Sequence, residues 1–187
     1  MGWLKPLFRG SSSRKITLRH PLIIENPKIA FLNLVGAAAS PLIAEDMGAL
    51  KPLFSDYAES NRDVPRCDVL MIYATINADG LIEDSAYCLR EIIGESQAPI
   101  VIVATENSGK SYIAAGRRPG SSNANLVMTL QRNGGCFPDF FKALFGMMRN
   151  GTTMPMAWVK LAPQIPTEQK NVPGTIFAAE VSHILFK

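Results

Sequence analysis

The sequence predicts an α/β fold, a three-layer sandwich with a mostly parallel central sheet. Its apolar runs are short and nearly continuous, which is typical of strands that are buried on both faces. Amphipathic helical segments alternate with those runs along the chain. The 187 residues are 47% hydrophobic and 19% charged, which is enough apolar material for one core.

The first predicted unit is a strand, a loop and a helix. Residues 28–35 (K-I-A-F-L-N-L-V) form the first apolar run and predict a strand. Residues 36–41 are small and predict a loop, and residues 42–54 carry apolar side chains at helical spacing. Residues 56–66 are polar, so we expect a loop there.

The second unit repeats this order with stronger signals. Residues 67–74 (C-D-V-L-M-I-Y-A) predict a buried strand, and residues 75–80 (T-I-N-A-D-G) predict the loop at its carboxyl end. Residues 85–95 predict a helix because their apolar side chains fall on one face. Residues 99–103 (P-I-V-I-V) predict the next buried strand.

The last third of the chain contains one more strand of the sheet and two helices. Residues 109–125 are rich in glycine, proline and serine and predict a loop, and residues 126–130 predict a strand. Residues 138–149 and 152–161 predict helices, the first of them with a phenylalanine stripe that we expect in the core. Residues 175–186 predict an edge strand, through which two copies of the chain could form a homodimer.

Charge divides the chain into a basic N-terminal extension, residues 1–26, which we expect to be flexible, and a single domain, residues 27–187. The first 24 residues have a charge of +5, which leaves 3 − 5 = −2 for the rest. A slightly acidic body argues against nucleic-acid binding. The extension could contact a membrane surface or a partner. Its charges come from Lys5, Arg9, Arg14, Lys15 and Arg19.

The three cysteines indicate a reducing, cytoplasmic setting. Cys67, Cys88 and Cys136 are odd in number and widely spaced, and no histidine lies near them in sequence. They therefore predict neither a disulfide framework nor a metal site. No apolar run reaches the roughly 18 residues that a membrane-spanning helix needs. We expect no cofactor.

The candidate ligand-binding residues follow the second and third predicted strands. Ligands of parallel sheets bind beyond the carboxyl ends of the strands, which directs attention to the loops 36–41, 75–80 and 104–111. Asp79 and Glu106 could act together as an acid–base pair in a small hydrolase or sensor, or could be two solvated loop carboxylates. The candidates are Asn77, Asp79, Thr105, Glu106, Asn107, Gly109, Lys110 and Ser111.

Residues 104–111 (A-T-E-N-S-G-K-S) also fit a relaxed phosphate-binding loop, A-x-x-x-x-G-K-S. In that alternative Lys110 would contact phosphates of a nucleotide and Ser111 would bind magnesium. Ala104 replaces the first glycine of the pattern, which restricts the turn. Moreover, Gln131 and Arg132 follow the next strand where a metal-binding aspartate would be needed.

The order of elements over residues 28–164 resembles that of caspase-like proteases, in particular their bacterial CHAT branch. Residues 67–74 resemble the strand that leads to the family's His-Gly loop. Residues 103–109 (V-A-T-E-N-S-G) resemble its A-C-E-T-G-type loop. Residues 140–161, with the break at Gly151 and the following P-M-A-W segment, resemble its C-terminal helices.

The chain departs from that family at both catalytic positions. The segment 74–80 contains no histidine, and Thr105 stands where the cysteine nucleophile is expected. The two histidines of the chain, His20 and His183, lie elsewhere. A threonine without a neighbouring base is a poor nucleophile. The resemblance therefore implies a pseudo-enzyme with no catalytic residues, which binds or scaffolds a protein partner.

Overall fold

The computed structural model describes residues 21–83, 85, 87–105, 107–108, 110–111, 125–128, 136–161 and 183–187. The elements in these ranges are β1 (Leu22–Ile24), β2 (Lys28–Asn33), α1 (Ser40–Leu50), β3 (Asp56–Ser60), β4 (Val69–Tyr73), α2 (Leu89–Ser96), β5 (Ile100–Val103), β6 (Asn125–Met128), α3 (Cys136–Arg149), α4 (Met154–Leu161) and β7 (Ile184–Phe186).

Five parallel strands form the central sheet in the order β3-β2-β4-β5-β6. Numbered along the chain within this sheet, that order is 2-1-3-4-5, one of the two common doubly wound arrangements. β1 and β7 form a separate parallel pair. The predicted α/β class with a parallel central sheet is confirmed.

Two apolar layers cover the sheet, because alternate residues of each strand point to opposite faces. One face carries Phe31, Met71 and Ile102, which pack against α1, α3, α4 and β7. The other face carries Leu70 and Val101, which pack with α2. Every residue of β4 and β5 is buried. This explains why both strands are continuous apolar runs in the sequence.

The phenylalanine stripe of α3 lies in the core, as predicted. The ring centroids of Phe137 and Phe141 are 4.8 Å apart. Phe140 packs edge-on against Trp158 of α4 at 4.8 Å, and Phe145 packs at 5.9 Å against Phe186 of β7. The stripe therefore joins α3 to the following helix α4 and to the C-terminal strand β7.

Two predicted boundaries of secondary structure are wrong. Residues 56–66 were expected to form a loop, but Asp56–Ser60 is strand β3. It lies at the edge of the sheet and is exposed on both faces, so no apolar pattern marks it. The helix expected over residues 85–95 begins only at Leu89, since Cys88 has extended backbone angles and pairs with Leu81 in an antiparallel bridge.

Other predicted elements are present with shifted ends. The helix expected over residues 42–54 begins at Ser40, and Pro52 converts its last turn to the 3₁₀ helix Lys51–Leu53. β1 lies within the segment assigned to the flexible extension, and residues 1–20 of that segment lie outside the described residues. Of the closing strand expected over residues 175–186, Ile184–Phe186 is observed, and residues 175–182 are not described. Within the described part of the chain no helix has the length and apolar character needed to cross a membrane.

Candidate functional site

A crevice lies where β2 and β4 end, at the point where the strand order of the sheet reverses. β2 has β3 on one side and β4 on the other, and such a switch point is where doubly wound proteins bind ligands. The crevice has a volume of about 350 Å³. Its lining comes from Leu34, Val35, Gly36, Thr75 and Glu83.

Asn33 shapes the β2 side of the crevice. Its Oδ1 accepts the Val35 N–H at 3.2 Å, and its Nδ2 donates to the Gly36 carbonyl at 3.1 Å. Gly36 has φ +73°, and a Cβ there would meet nothing within 4 Å, so the backbone conformation and not crowding favours glycine. The Leu34 N–H donates to the Tyr73 carbonyl at 2.8 Å, which fixes this turn to the end of β4.

A tight hairpin forms the β4 side, and Asn77 builds it. Its Oδ1 accepts the backbone N–H groups of Asp79 at 2.9 Å and Leu81 at 3.0 Å. Gly80 closes the turn with φ +83°. Asn77, a predicted ligand-binding residue, thus uses its side-chain oxygen to hold its own loop, while Asp79 is exposed at the tip.

Thr105 and Asn107 join the exits of β4 and β5. Thr105 Oγ1 accepts the Ala74 N–H at 2.8 Å. Asn107 Oδ1 accepts the Ile76 N–H at 2.7 Å, and its Nδ2 donates to the carbonyls of Ala74 and Thr105 at 3.1 Å each. These four hydrogen bonds, which we call the strand-end clamp, satisfy backbone groups that the sheet leaves unpaired as the two strands end.

The second half of the relaxed phosphate loop is closed by its own serines. Ser108 Oγ lies 2.8 Å from Ser111 Oγ and accepts the Ser111 N–H at 3.2 Å. Ser111 is buried, whereas Lys110 is exposed. The hydroxyl and amide that magnesium and phosphate would require are thus engaged within the chain. Glu106 and Gly109 lie outside the described residues, so the proposed Asp79–Glu106 pair stays a prediction.

The thiol of Cys67 is a poor nucleophile at neutral pH. Cys67 precedes β4 and therefore lies at the amino end of the sheet, opposite the crevice. Burial, with a contribution from the Asp68 carboxylate, raises the pKa of the thiol to about 12, against a smaller opposing effect of a hydrogen bond with the Ala30 backbone. The thiolate, which is the nucleophilic form, is thus disfavoured.

Among the described residues no histidine lies at the strand ends, and no metal centre is formed. His183, the single histidine in the described ranges, is exposed just before β7. No three side chains of His, Cys, Asp or Glu come together there as metal ligands. The described strand ends thus carry hydroxyl, amide and carboxylate groups but no imidazole.

The sequence prediction missed a buried polar pair beside the site. The Tyr73 hydroxyl donates to Asp46 Oδ2 at 2.7 Å, and both residues are almost fully buried. The pair attaches α1 to the end of β4. A signal was available, since Asp46 falls at the helical spacing of Ile43, Met47 and Leu50, on the apolar side of α1.

Comparison with known proteins adds no relative to this description. No protein-family model matches the chain, and neither the curated proteins nor the solved structures contain a match.

Proposed function

We propose that this chain is a non-catalytic domain of the caspase-like CHAT type whose role is to bind a protein partner. The observation that carries the proposal is the hydrogen bond from the Ala74 N–H to Thr105 Oγ1 at 2.8 Å. Thr105 occupies the position that matches the family's nucleophile, and its hydroxyl holds the neighbouring strand end.

The strand-end clamp supports a binding role over a catalytic one. Covalent catalysis needs a nucleophile whose proton passes to a nearby base. At the described strand ends the side chains of Thr105 and Asn107 are hydrogen-bonded to the backbone of the loop that follows β4. No imidazole lies beside them in the described residues. The clamp also fixes the loops relative to each other, and fixed loops lose little conformational entropy when a partner binds.

The chemistry of the crevice favours a basic anchor from the partner. At about 350 Å³ it is at the small end of ligand pockets and suits one side chain. Glu83 and Thr75 line it, and neither side chain has a hydrogen-bond partner among the described residues. A lysine or arginine would pair with the Glu83 carboxylate. We further propose a bacterial, cytoplasmic setting, which the free thiols of Cys67 and Cys88 fit.

A hydrolysis assay tests the absence of catalysis. Wild type, Thr105→Ala and Thr105→Ser are incubated with a library of fluorogenic peptides, and hydrolysis is followed against buffer. We expect no turnover by any of the three. Hydrolysis by wild type that survives Thr105→Ser and disappears in Thr105→Ala would reject the pseudo-enzyme.

A peptide-binding assay tests the proposed anchor. Labelled peptide libraries that differ in their central residue are screened by fluorescence anisotropy against wild type, Glu83→Lys and Glu95→Lys. Glu95 is the matched control, because it is exposed near the end of α2, which lies toward the amino end of the sheet. We expect peptides with a central lysine or arginine to bind wild type and Glu95→Lys and to lose about tenfold in affinity for Glu83→Lys. Equal binding to the two variants would remove the crevice from the proposal.

Nucleotide binding by residues 104–111 is the alternative, and the Ser108–Ser111 contact does not favour it. The described strands also follow the order 2-1-3-4-5 and not the 5-1-4-3-2 order expected of phosphate-loop proteins. Thermal shift of wild type and Lys110→Ala with Mg-ATP and Mg-GTP separates the two hypotheses. Stabilisation of wild type alone would favour the nucleotide.

A further inference from the structure

Strand β3 presents an open edge of the central sheet. Its only strand neighbour is β2 in the described part of the chain. Four of its five residues are exposed, and Tyr57 keeps 54% of its accessible surface. It contains neither proline nor glycine, which would spoil strand pairing. Such an edge is a template for another strand.

A groove runs beside this edge, between α1 and β3. It has a volume of about 480 Å³, and its floor includes Ile43 and Met47 of α1. Lys51 and Glu59 supply one cation and one anion to its lining. An added strand would therefore find both backbone partners and space for side chains on this face.

The charges of β3 are arranged for pairing with an identical strand. In an antiparallel pair centred on Ala58, Tyr57 lies opposite Glu59 of the second copy, and Asp56 lies opposite its Ser60. Lys51 Nζ lies 3.8 Å from the centre of the Tyr57 ring. Glu59 of each copy would therefore meet Lys51 of the other, since side chains opposite each other in a pair have Cβ atoms about 5 Å apart.

Other registers of the β3–β3 pair lose the contact between Glu59 and Lys51 of the two copies. Moving the centre of symmetry to residue 59 places Glu59 opposite itself, and like charges in that position destabilise a pair. Moving it to residue 57 removes the contact between Glu59 and Tyr57 and shortens the overlap. Asp56 is already paired with Lys28 at 3.3 Å, so the centred register brings no unbalanced carboxylate to the edge.

We propose that two copies of this chain form a homodimer by antiparallel pairing of β3 with β3, centred on Ala58. The two five-stranded sheets become one ten-stranded sheet across an isologous interface. Two symmetric Lys51–Glu59 pairs set the register. β7, which already pairs with β1 in the same chain, is not part of this interface.

The test is sedimentation velocity of wild type over a range of concentrations, with charge-reversal variants. The mass of wild type should rise from that of one 20.4 kDa chain to that of two. Glu59→Lys alone and Lys51→Glu alone each place like charges in contact across the interface, so each should weaken self-association about tenfold. Mixed together, these two variants should associate with each other as wild type does, because every contact between them then joins opposite charges.

Control variants separate the loss of β3–β3 pairing from a general effect of charge or of misfolding. Glu95→Lys and Lys142→Glu are exposed charge reversals away from β3 and should self-associate as wild type does. Circular dichroism must show that every variant is folded. Recovery of association when the Glu59 and Lys51 variants are mixed is further evidence that both are folded. A wild type that stays monomeric, a dimer that tolerates Glu59→Lys, or a mixture that fails to recover association would each overturn the proposal.

Discussion

Thr105 makes the side-chain contact that most affects the functional interpretation of this chain. It accepts the N–H of Ala74 across the ends of two parallel strands. Thr105→Val keeps the shape of the side chain and removes the acceptor. We expect the free energy of unfolding to fall by about 1–3 kcal/mol, because a half-buried N–H loses its partner. Urea denaturation followed by circular dichroism measures the change.

Thr75→Val is the control for that experiment, since it makes the same substitution at the end of the neighbouring strand. The Thr75 side chain has no hydrogen bond to the described residues, so its replacement should change stability by less than about 0.5 kcal/mol. Thr105→Ser, which keeps the hydroxyl, should lie between wild type and Thr105→Val. Equal effects of valine at positions 75 and 105 would show that the Thr105 hydroxyl contributes nothing to stability.

The partly buried thiol of Cys67 should make the stability of the chain depend on pH in the alkaline range. Its pKa is about 12 in the folded chain against an ordinary value of 9.0. Between these values the unfolded chain loses the thiol proton while the folded chain keeps it, so stability falls as pH rises. At one and a half pH units above 9.0, the free energy of unfolding should have fallen by at most about 2 kcal/mol.

Comparison with Cys67→Ala isolates this effect from other groups that titrate at alkaline pH. Under reducing conditions, unfolding of wild type and variant is measured by urea at pH 8 and again above pH 9. The difference in stability between the two proteins should narrow or reverse at the higher pH. A constant difference would mean that the thiol titrates alike in both states.

The location of the site could be predicted from the sequence, but the roles of its residues could not. Parallel strands place their carboxyl ends together, and that rule selected Asn77, Thr105 and Asn107. An amide or a hydroxyl can bind a ligand or satisfy a backbone group equally well. The distinction depends on distances between segments about thirty residues apart, such as the 2.7 Å from Ile76 N to Asn107 Oδ1, and no local pattern encodes these distances.

At the scale of elements, the predictions succeeded where burial imposes a pattern. β4 and β5 are covered on both faces and were recognised as apolar runs. β3 has neither face covered, and its sequence D-Y-A-E-S was therefore assigned to a loop. Its extended shape is imposed by pairing with β2 from residue 56 to residue 60, which is a tertiary interaction.

The start of α2 provides a prediction about helix capping. The Glu91 carboxylate accepts the Cys88 N–H at 2.9 Å, and its hydrogen bonds with Cys88, the backbone one first, lower the pKa of that carboxyl group. Glu91→Ala should therefore destabilise the chain at neutral pH. Since the folded pKa is depressed, the contribution is present above the ordinary value of 4.5 and is lost as pH falls through the folded pKa. Urea unfolding at neutral and at acidic pH measures the destabilisation and its loss at low pH.

Glu95→Ala is the matched control on the same helix, because Glu95 is exposed in the last turn and caps nothing. It should leave stability unchanged or raise it slightly, since an acidic residue near the end of a helix opposes the dipole. If the cost of Glu91→Ala were the same at neutral and acidic pH, the ionised carboxylate would not be the stabilising group.

At the scale of the whole molecule, the doubly wound order sets which parts of the sheet open first. β4 lies in the middle, with strands on both sides and apolar layers on both faces. β3 lies at the edge with its residues exposed. The class of fold followed from the alternation of elements, but the strand order depended on β3, which sequence patterning did not detect.

Hydrogen exchange measured by mass spectrometry would test this gradient together with the proposed dimer. In dilute protein, amides of β4 should exchange last and those of β3 first, because edge strands open locally while central strands need global unfolding. As the concentration rises, protection should increase in β3 and stay constant in β4, since a second copy would pair only the edge. Glu59→Lys should shift this concentration dependence to about tenfold higher protein concentration while keeping the slow exchange of β4. If protection in β3 did not depend on concentration, its edge would be free in solution, whereas a concentration-dependent change at β7 would locate the interface at the C-terminal strand instead.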